Sequence, residues 1–295
     1  MAREWTRSPI GFVKPFSSNP ERVGRDGFLS LRFERRLGKT TLAQCRFKLP
    51  LQALTPTELA DGTAYLMLLN PTGGLVGGDF LLTQIIQEAE TRVCLTTPSA
   101  TRVYRTRDQP AIQETRIHLA EGAFLEYLPD HVIPHRDSKF HQSLHIEMSR
   151  RSRLILWDAL AAGRVAHGER WKFHEVDSHT EISLCGRTVL LNRARIRPME
   201  FNPERLGLAE GYNYMATLAV VAGDWEGWRE TLAAMEAELR NMPEVYGGGS
   251  VLASDGCVVK LLARSASDLT RAQTALWGRA RQIVLGSPAI DLRKY

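Results

Sequence analysis

The eight histidines are the residues of this sequence best suited to holding a metal ion. His131 and His135 are four residues apart, but Pro134 lies between them, so they do not form a helical pair of ligands. His141 and His145 share one face of a predicted strand, where a rise of about 3.3 Å per residue places them roughly 13 Å apart. One ion needs each ligand atom at about 2 Å, so these two side chains cannot share it. No local segment therefore predicts a tight metal site, and a weak or transient site built from distant residues stays open.

Catalytic chemistry finds little support in the residue pattern. The sequence has no Gly-x-Ser-x-Gly segment, and Ser99 has no nearby histidine with an acid to orient it. Asp158 and Glu169 could act as an acid–base pair if the fold brings them together. Two acids on either side of a Gly-Arg turn more often bond loop N–H groups or pair with arginine, and Arg164 is the nearest such partner. We therefore predict no catalytic residues.

A glycine-rich loop lies between two apolar runs, at residues 65–69 and 80–86, which predict strands on either side of it. The loop contains four glycines, which are Gly73, Gly74, Gly77 and Gly78. A phosphate-binding loop is disfavoured, because no Lys-Ser/Thr follows and the next element is a strand instead of a helix that presents its N-terminus. The better interpretation is a tight turn in which Asp79 accepts hydrogen bonds from loop N–H groups.

The composition is that of a globular protein with a basic balance. Of its 295 residues 43% are hydrophobic, and the net charge is +5. Arginine clusters supply most of this charge, and it permits binding to acidic proteins, nucleic acid or anionic surfaces without selecting among them. A solvated surface is the simpler interpretation of these clusters, with a docking surface as the alternative.

The cysteines and the lack of long apolar runs bear on the cellular compartment. The cysteines lie far apart in apolar or strand-like segments, which favours buried free thiols in a reducing compartment; they are Cys45, Cys94, Cys185 and Cys257. The first residues are charged and lack the apolar stretch of a secretory signal, and no apolar run reaches the ~18 residues of a membrane helix. We expect a cytoplasmic protein that does not interact with a membrane.

Short segments of alternating polar and apolar residues recur between residues 26 and 221. The clearest is 139–148, where Phe140, Gln142 and Leu144 begin one face and histidines occupy the other. Many such segments at nearly regular spacing predict a mainly β fold, a large antiparallel multi-stranded β scaffold.

A helical period appears only near the C-terminus. It predicts two amphipathic helices, near 225–241 with Asp224 as cap and near 267–285 with Ser267 as cap. Residues 1–25 show no sustained period and are expected to form a flexible N-terminal arm. No linker divides the remainder, so 26–295 are predicted to form a single β-rich domain.

Several short segments, spread along the chain in a fixed order and at fixed spacing, form one pattern. Asn70 to Asp79 reads NPTGGLVGGD, and Thr96 to Arg105 reads TTPSATRVYR. Further segments are Leu128-Pro129, Ile133-Pro134, Trp157-Asp158, Gly163-Arg164, Gly168-Glu169, Gly286-Ser287-Pro288 and Arg293-Lys294-Tyr295. Together they resemble the signature of the UreD family of urease accessory proteins, also called UreH, over nearly the whole chain from about Gly27. The region 26–295 would then be a single UreD-like domain.

The resemblance implies a non-enzymatic scaffold or chaperone. Members of this family act with UreF and the GTPase UreG on the urease apoprotein, so that nickel and carbon dioxide reach its active site. The resemblance thus implies no tightly bound cofactor and only transient nickel, held by scattered oxygen ligands that bind weakly and release the ion. An internal channel is the proposed nickel path in the family, and its motif positions fall here on Asp79, Thr101 and Asp158, with Glu169 a weaker candidate.

The sequence departs from the family pattern at three places. Pro98-Ser99 and Asn192 occupy positions where many relatives have other residues, and both bear on the channel lining, while Tyr295 replaces a commoner tryptophan.

The alternative function is a β-rich nucleic-acid or anionic-ligand binding protein, suggested by the arginine clusters alone. The aromatic–basic platform of common RNA-binding modules is missing, so no nucleic-acid partner is expected.

Overall fold

The computed structural model describes residues 25–288, 290 and 292. About 50% of the chain is strand and 14% is helix, which confirms the mainly β fold class with two helices near the C-terminus. The strands are β1 (Asp26–Arg36), β2 (Lys39–Lys48), β3 (Gln52–Ala53), β4 (Thr57–Glu58), β5 (Ala64–Leu69), β6 (Phe80–Gln87), β7 (Arg92–Thr96), β8 (Thr101–Val103), β9 (Ala111–Leu119), β10 (Phe124–Leu128), β11 (Val132–Pro134), β12 (Lys139–Met148), β13 (Arg153–Ala161), β14 (Gly163–Arg164), β15 (Glu169–Arg170), β16 (Glu175–Leu184), β17 (Arg187–Ile196), β18 (Tyr214–Ala222), β19 (Val245–Val251) and β20 (Gly256–Ala263). The helices are α1 (Trp228–Arg240) and α2 (Ala266–Leu285).

Two large sheets form the body of the described chain. The first sheet has seven strands in the order β17-β16-β12-β9-β6-β1-β2. The second sheet follows the order β19-β20-β18-β13-β10-β7-β5-β3, with β4, β8 and β11 attached beside this path. A separate small ribbon pairs β14 with β15.

Strand direction differs from the antiparallel expectation in the middle of both sheets. In the first sheet β1, β6, β9, β12 and β16 pair in parallel, and in the second sheet β5, β7, β10 and β13 do so. The chain passes between the sheets, since β6 belongs to the first, β7 to the second, β9 to the first and β10 to the second. Strands that return to the same sheet after such a crossing run in the same direction. Antiparallel pairing is confined mainly to the outer strands of each sheet.

Two apolar layers hold the sheets and helices together. The layer between the sheets includes Leu29 and Leu31 of β1, Phe140 of β12 and Leu125 of β10, all almost fully buried. The other layer lies between the outer face of the second sheet and the two helices; it includes Trp157, Leu218, Met235, Leu269 and Leu276. The second sheet is therefore buried on both faces, which explains why β10, β13 and β18 read as nearly continuous apolar runs.

The helix caps differ from the predicted ones. Helix α1 begins after Gly227, and Asp224 does not cap it: its carboxylate accepts hydrogen bonds from the guanidinium of Arg153 at 2.8 and 3.2 Å. Helix α2 begins after Ser265, whose hydroxyl oxygen accepts a hydrogen bond from the backbone N–H of Asp268, so Ser265 and not Ser267 is the cap. Within the part of the chain that the structure describes, no helix combines the length and apolar character that crossing a membrane requires.

A buried ion pair fixes α2 to the second sheet. Arg281 and Glu126 are both fully buried, and the Nε of Arg281 donates to Glu126 Oε1 at 2.9 Å. Trp277 donates to the same carboxylate oxygen at 2.6 Å, and Asp61 also accepts from Arg281. A buried charge pair with these extra hydrogen bonds specifies the position of the helix more than it adds stability.

The chain termini and the cysteines differ from the sequence expectations or lie outside their test. The predicted N-terminal arm and the terminal Arg293-Lys294-Tyr295 segment lie outside the described residues, apart from Arg25 at the end of the arm. All the cysteines are free, but only Cys94 and Cys257 are buried. Cys45 is exposed because β2 is an edge strand, and Cys185 is exposed because it lies in the turn between β16 and β17.

Candidate functional site: a polar passage between the sheets

A cavity lined by both polar and apolar side chains interrupts the apolar layer between the sheets. On the first sheet, the inward faces of β6, β9 and β12 carry apolar residues at most positions, but Thr83, Thr115 and Gln142 line the cavity. Tyr127 of β10 and Asp158 of β13 face them from the second sheet. The enclosed volume is about 150 Å³, which leaves room for water or a small ion.

Besides Asp130, the carboxylate that lines this cavity among the described residues is Asp158. Strand β13 places it next to β12, and the amide of Gln142 donates to its Oδ1 at 3.2 Å, which joins the two sheets. Burial raises the pKa of Asp158, and hydrogen bonds from Gln142 and the backbone of Ala159 oppose part of that rise. The Asp158 side chain lines the cavity together with Asp130, so a passing cation would meet two groups whose oxygens can become charged.

Tyr127 and Thr115 lie beside this carboxyl group. Burial raises the pKa of Tyr127 to about 12, against a hydrogen bond to Thr115 that lowers it, so the phenol stays neutral at physiological pH. Neutral hydroxyl and amide groups thus lie beside Asp158, and Asp130 is the second acid in the cavity lining.

A second cavity, of about 580 Å³, continues from the first. Val132, Gln142 and Asp158 line both, so the two cavities meet at the Asp158 carboxyl group. The second cavity extends between β17 and β20 toward the outside. At its rim the ammonium group of Lys260 donates to the amide oxygen of Asn192 at 2.8 Å.

The other end of the passage lies at Thr101 and the glycine loop. Thr101 begins β8, and its backbone N–H donates to the carbonyl oxygen of His131 at 3.0 Å. Its neighbours in the lining include Asn70, Gly73, Gly74 and Ser99. Two motifs that are far apart in the sequence, the glycine loop and the TTPSAT segment, therefore form one rim.

Asp79 shapes the glycine loop and lines neither cavity. Its Oδ2 accepts a hydrogen bond from the backbone N–H of Val76 at 2.8 Å, and its Oδ1 lies 3.7 Å from Nε of Arg25. The carboxylate is almost buried, at 7% exposure. The structure thus confirms the tight-turn interpretation of this aspartate.

The glycines are required where the loop approaches β8. A Cβ on Gly74 would lie 2.6 Å from the carbonyl oxygen of Arg102 and 2.8 Å from the ring of Tyr104. Gly73 and Gly78 have φ angles of +79° and +84°, which favour glycine. The loop is followed by strand β6, as expected, and not by a helix that could bind phosphate.

Glu169 is paired with arginine and does not meet Asp158. Its carboxylate accepts two hydrogen bonds from the guanidinium of Arg164, at 2.8 and 2.6 Å. These bonds lower the pKa of Glu169 to about 2, and burial only partly opposes them. Glu169 lines neither cavity, so an acid–base pair with Asp158 is not formed and the arginine-pair interpretation is confirmed.

The fold therefore brings together Thr101 and Asp158 among the predicted positions, and it assigns Asp79 and Glu169 to other contacts. Sequence reasoning missed Tyr127, Thr115 and Gln142 as lining residues. A signal for them existed, because polar side chains at inward positions of otherwise apolar strand faces indicate a cavity or a buried network. Among residues 25–288, 290 and 292, no group of three or more His, Cys, Asp or Glu side chains could hold one metal ion.

Comparisons with known proteins agree with this arrangement of motifs. A family model described as UreD urease accessory protein matches residues 25–294. A relative named urease accessory protein UreD from Herpetosiphon aurantiacus is 34% identical over 270 residues, covering 88% of this chain and 93% of the relative. The protein of the same name from Mycolicibacterium gilvum is 36% identical over 254 residues, covering 84% and 90%. That from Deinococcus radiodurans is 32% identical over 272 residues, covering 92% and 95%. The chain therefore belongs to the UreD urease accessory protein family.

Proposed function

We propose that this chain is a non-enzymatic scaffold in urease maturation that lets nickel pass between its two sheets toward the urease apoprotein. Family membership and the names of its relatives support a role in urease maturation. The observation that carries the nickel path is the pair of cavities that meet at Asp158. Nickel is the cargo in this proposal, and the chain keeps no resident metal.

The chemistry of the passage suits an ion in transit. The carboxyl groups of Asp130 and Asp158, the hydroxyl groups of Thr101 and Thr115, and the amide of Gln142 offer oxygen donors along the way. Divalent nickel binds most tightly where several nitrogen or sulfur ligands complete its coordination, and the described lining has none in a cluster. Binding would therefore be weak and release fast, as passage requires.

UreF and UreG are the proposed partners, together with the urease apoprotein subunits. A scaffold with open cavity ends at the glycine loop and at Lys260 needs partners that cover those ends and keep the ion from bulk water. The free cysteines are in keeping with a reducing cytoplasm as the site of assembly.

The alternative of nucleic-acid binding gains no support from Arg193 and Arg195 of β17 or from Arg197, which follows that strand. Arg193 and Arg195 contact Asp177, and Arg195 and Arg197 contact Glu175, at 2.5 to 3.7 Å. Arginines that are already paired offer less positive potential to a phosphate backbone.

Co-expression tests the proposal. The urease subunits, UreF, UreG and the remaining maturation factors are expressed with and without this chain, and urease activity, nickel per urease and co-purification with UreF are measured. We expect activity and nickel content to depend on the chain, and UreF to be retained by it. Equal activity and nickel content without the chain would contradict the proposal, and full activation without any UreF complex would remove the scaffold role.

A further inference from the structure

A third cavity, of about 450 Å³, lies beside β8 and β11 and is closed by the turn between β14 and β15. Its polar lining residues carry basic or hydroxyl groups; they are Arg102, Tyr104, His135, Arg164, His167 and Tyr214. None of the residues that line it is acidic. A concave site whose polar groups are hydrogen-bond donors of positive or neutral charge has the donor set of an anion site.

The arginines leave a net positive charge at this cavity. The Arg164 guanidinium is held by Glu169, and Nε of Arg136 also lies 3.8 Å from that carboxylate, so two arginines share one acid. Arg102 has no ion pair within the described part of the chain. Arg164, which Glu169 holds in place, and Arg102, which has no ion pair there, therefore both line a cavity whose described lining contains no carboxylate.

The pKa of His135 depends on this positive charge. Its ring packs edge-on against Tyr104 with ring centres 4.9 Å apart. Burial lowers the pKa of His135, and the positive groups of Arg164, Arg102 and His167 lower it further, against the opposing effect of Glu169. A bound anion would oppose the arginine charges and raise this pKa, which provides an internal probe of occupancy.

The backbone around the cavity is fixed by close packing. A Cβ on Gly163 would overlap the carbonyl oxygen of Glu169, so only glycine permits the tight approach of β14 to β15. The bidentate pair of Arg164 with Glu169 then holds its guanidinium in one orientation. A preorganised arginine loses less entropy when it binds a ligand than a mobile one does.

We propose that this cavity binds a small oxyanion, of the phosphate or bicarbonate class. The planar guanidinium groups match the oxygen spacing of such ions, and the hydroxyl group of Tyr214 adds a neutral donor. Arg102 also lines the first cavity of the passage, so the two sites share this residue, and urease activation is not needed to detect anion binding.

Isothermal titration of the full chain tests this proposal, with inorganic phosphate in one arm and bicarbonate in the other, at constant ionic strength set with chloride. Arg102→Gln is compared with Arg107→Gln, because Arg107 is an exposed arginine of the same segment that does not line the cavity. We expect saturable binding of at least one oxyanion, weakened on the order of tenfold by Arg102→Gln, the loss of one charge-assisted hydrogen bond. Arg107→Gln should bind as the original chain does.

Titration of His135 by NMR provides a second readout. The oxyanion that binds should raise the pKa of His135 in the original chain, and the increase should be much smaller in Arg102→Gln. The two arms identify the ligand, since the tighter of the two oxyanions is the better match. The proposal would be overturned if neither ion bound saturably, or if Arg102→Gln and Arg107→Gln weakened oxyanion binding equally.

Discussion

Asp158 and Asp79 are both largely enclosed aspartates, but their surroundings differ. Asp158 lies where two cavities meet, and its described hydrogen bonds come from Gln142 and the backbone of Ala159. Asp79 is turned toward its own loop, where it accepts from Val76 and lies beside Arg25. The first carboxyl group lines both cavities, and the second holds its own loop closed.

The variant Asp79→Asn should therefore affect stability more than nickel transfer. The amide oxygen can still accept from Val76, but the charge opposite Arg25 is lost, so we expect a loss of about 1 kcal/mol in the free energy of unfolding. Urea unfolding measures this change, and urease activation per folded molecule should stay near its original value. A variant of unchanged stability that no longer supports activation would show that Asp79 acts on the ion.

Glu175 gives the fold a defined response to acid. Burial alone would raise its pKa, but hydrogen bonds from Arg197, His141 and Arg195 outweigh that effect and lower the pKa to about 2. A carboxyl group with a folded pKa below its ordinary value of 4.5 stabilises the fold above that pH, and this contribution is lost as pH falls from 4.5 toward 2.

Glu175→Gln should remove that contribution. Because the arginines are partly exposed, we expect the variant to be less stable by roughly 1 to 2 kcal/mol at pH 6, with the difference shrinking toward pH 2. Denaturant unfolding at a series of pH values measures it. Glu147→Gln is the matched control, since Glu147 is on the same sheet and 76% exposed. A difference that does not vary with pH would contradict the assignment.

The glycine loop and β8 act as one element at the rim of the passage. The backbone N–H of Leu75 donates to the carbonyl oxygen of Arg102 at 2.8 Å, and that of Tyr104 donates to the carbonyl oxygen of Leu75 at 2.8 Å. The glycine loop and β8 are thereby joined by an isolated bridge between Leu75 and Val103, and a side chain on Gly74 would force them apart.

Gly74→Ala should weaken this junction. The added methyl group would meet backbone atoms that cannot move aside cheaply, so we expect a loss of about 1 to 3 kcal/mol in the free energy of unfolding. Gly248→Ala is the control, because a Cβ there meets open space. Thermal or urea unfolding of both variants checks the prediction, and equal stability of the two would contradict the close approach.

Sequence periodicity predicted most strands and both helices, but it did not predict strand direction. Alternation in 139–148 identifies β12 and its buried face, yet the same pattern occurs in parallel and antiparallel strands. Direction depends on which sheet the next strand joins, and that follows from contacts between β12 and β9 or β16 that are distant in sequence. The helix caps were missed for a similar reason, since Asp224 is held by Arg153 from another element.

At the scale of the whole molecule, the passage exists because the two sheets do not fill the space between them with apolar side chains. The motif positions Thr101 and Asp158 were identified from resemblance, and the structure puts both in one cavity lining. Tyr127 and Thr115 carry no motif, so their place beside Asp158 depends on the register of strands in opposite sheets. Such register is a tertiary property that residue types alone do not encode.

The most direct test of the nickel path is urease activation by Asp158→Asn. The amide can still accept the hydrogen bond from Gln142, so the variant should fold as the original chain does and should be no less stable. Asp177→Asn is the control, because Asp177 is a carboxylate of β16 that lines neither cavity. Both variants are co-expressed with urease, UreF and UreG, and urease activity, nickel per urease and co-purified partners are measured.

We expect Asp158→Asn to retain its partners but to lower nickel delivery and urease activity on the order of tenfold or more, as expected when a metal site loses its charged group. Asp177→Asn should activate urease normally. Full nickel delivery by a folded, partner-bound Asp158→Asn chain would contradict a path for nickel between the two sheets.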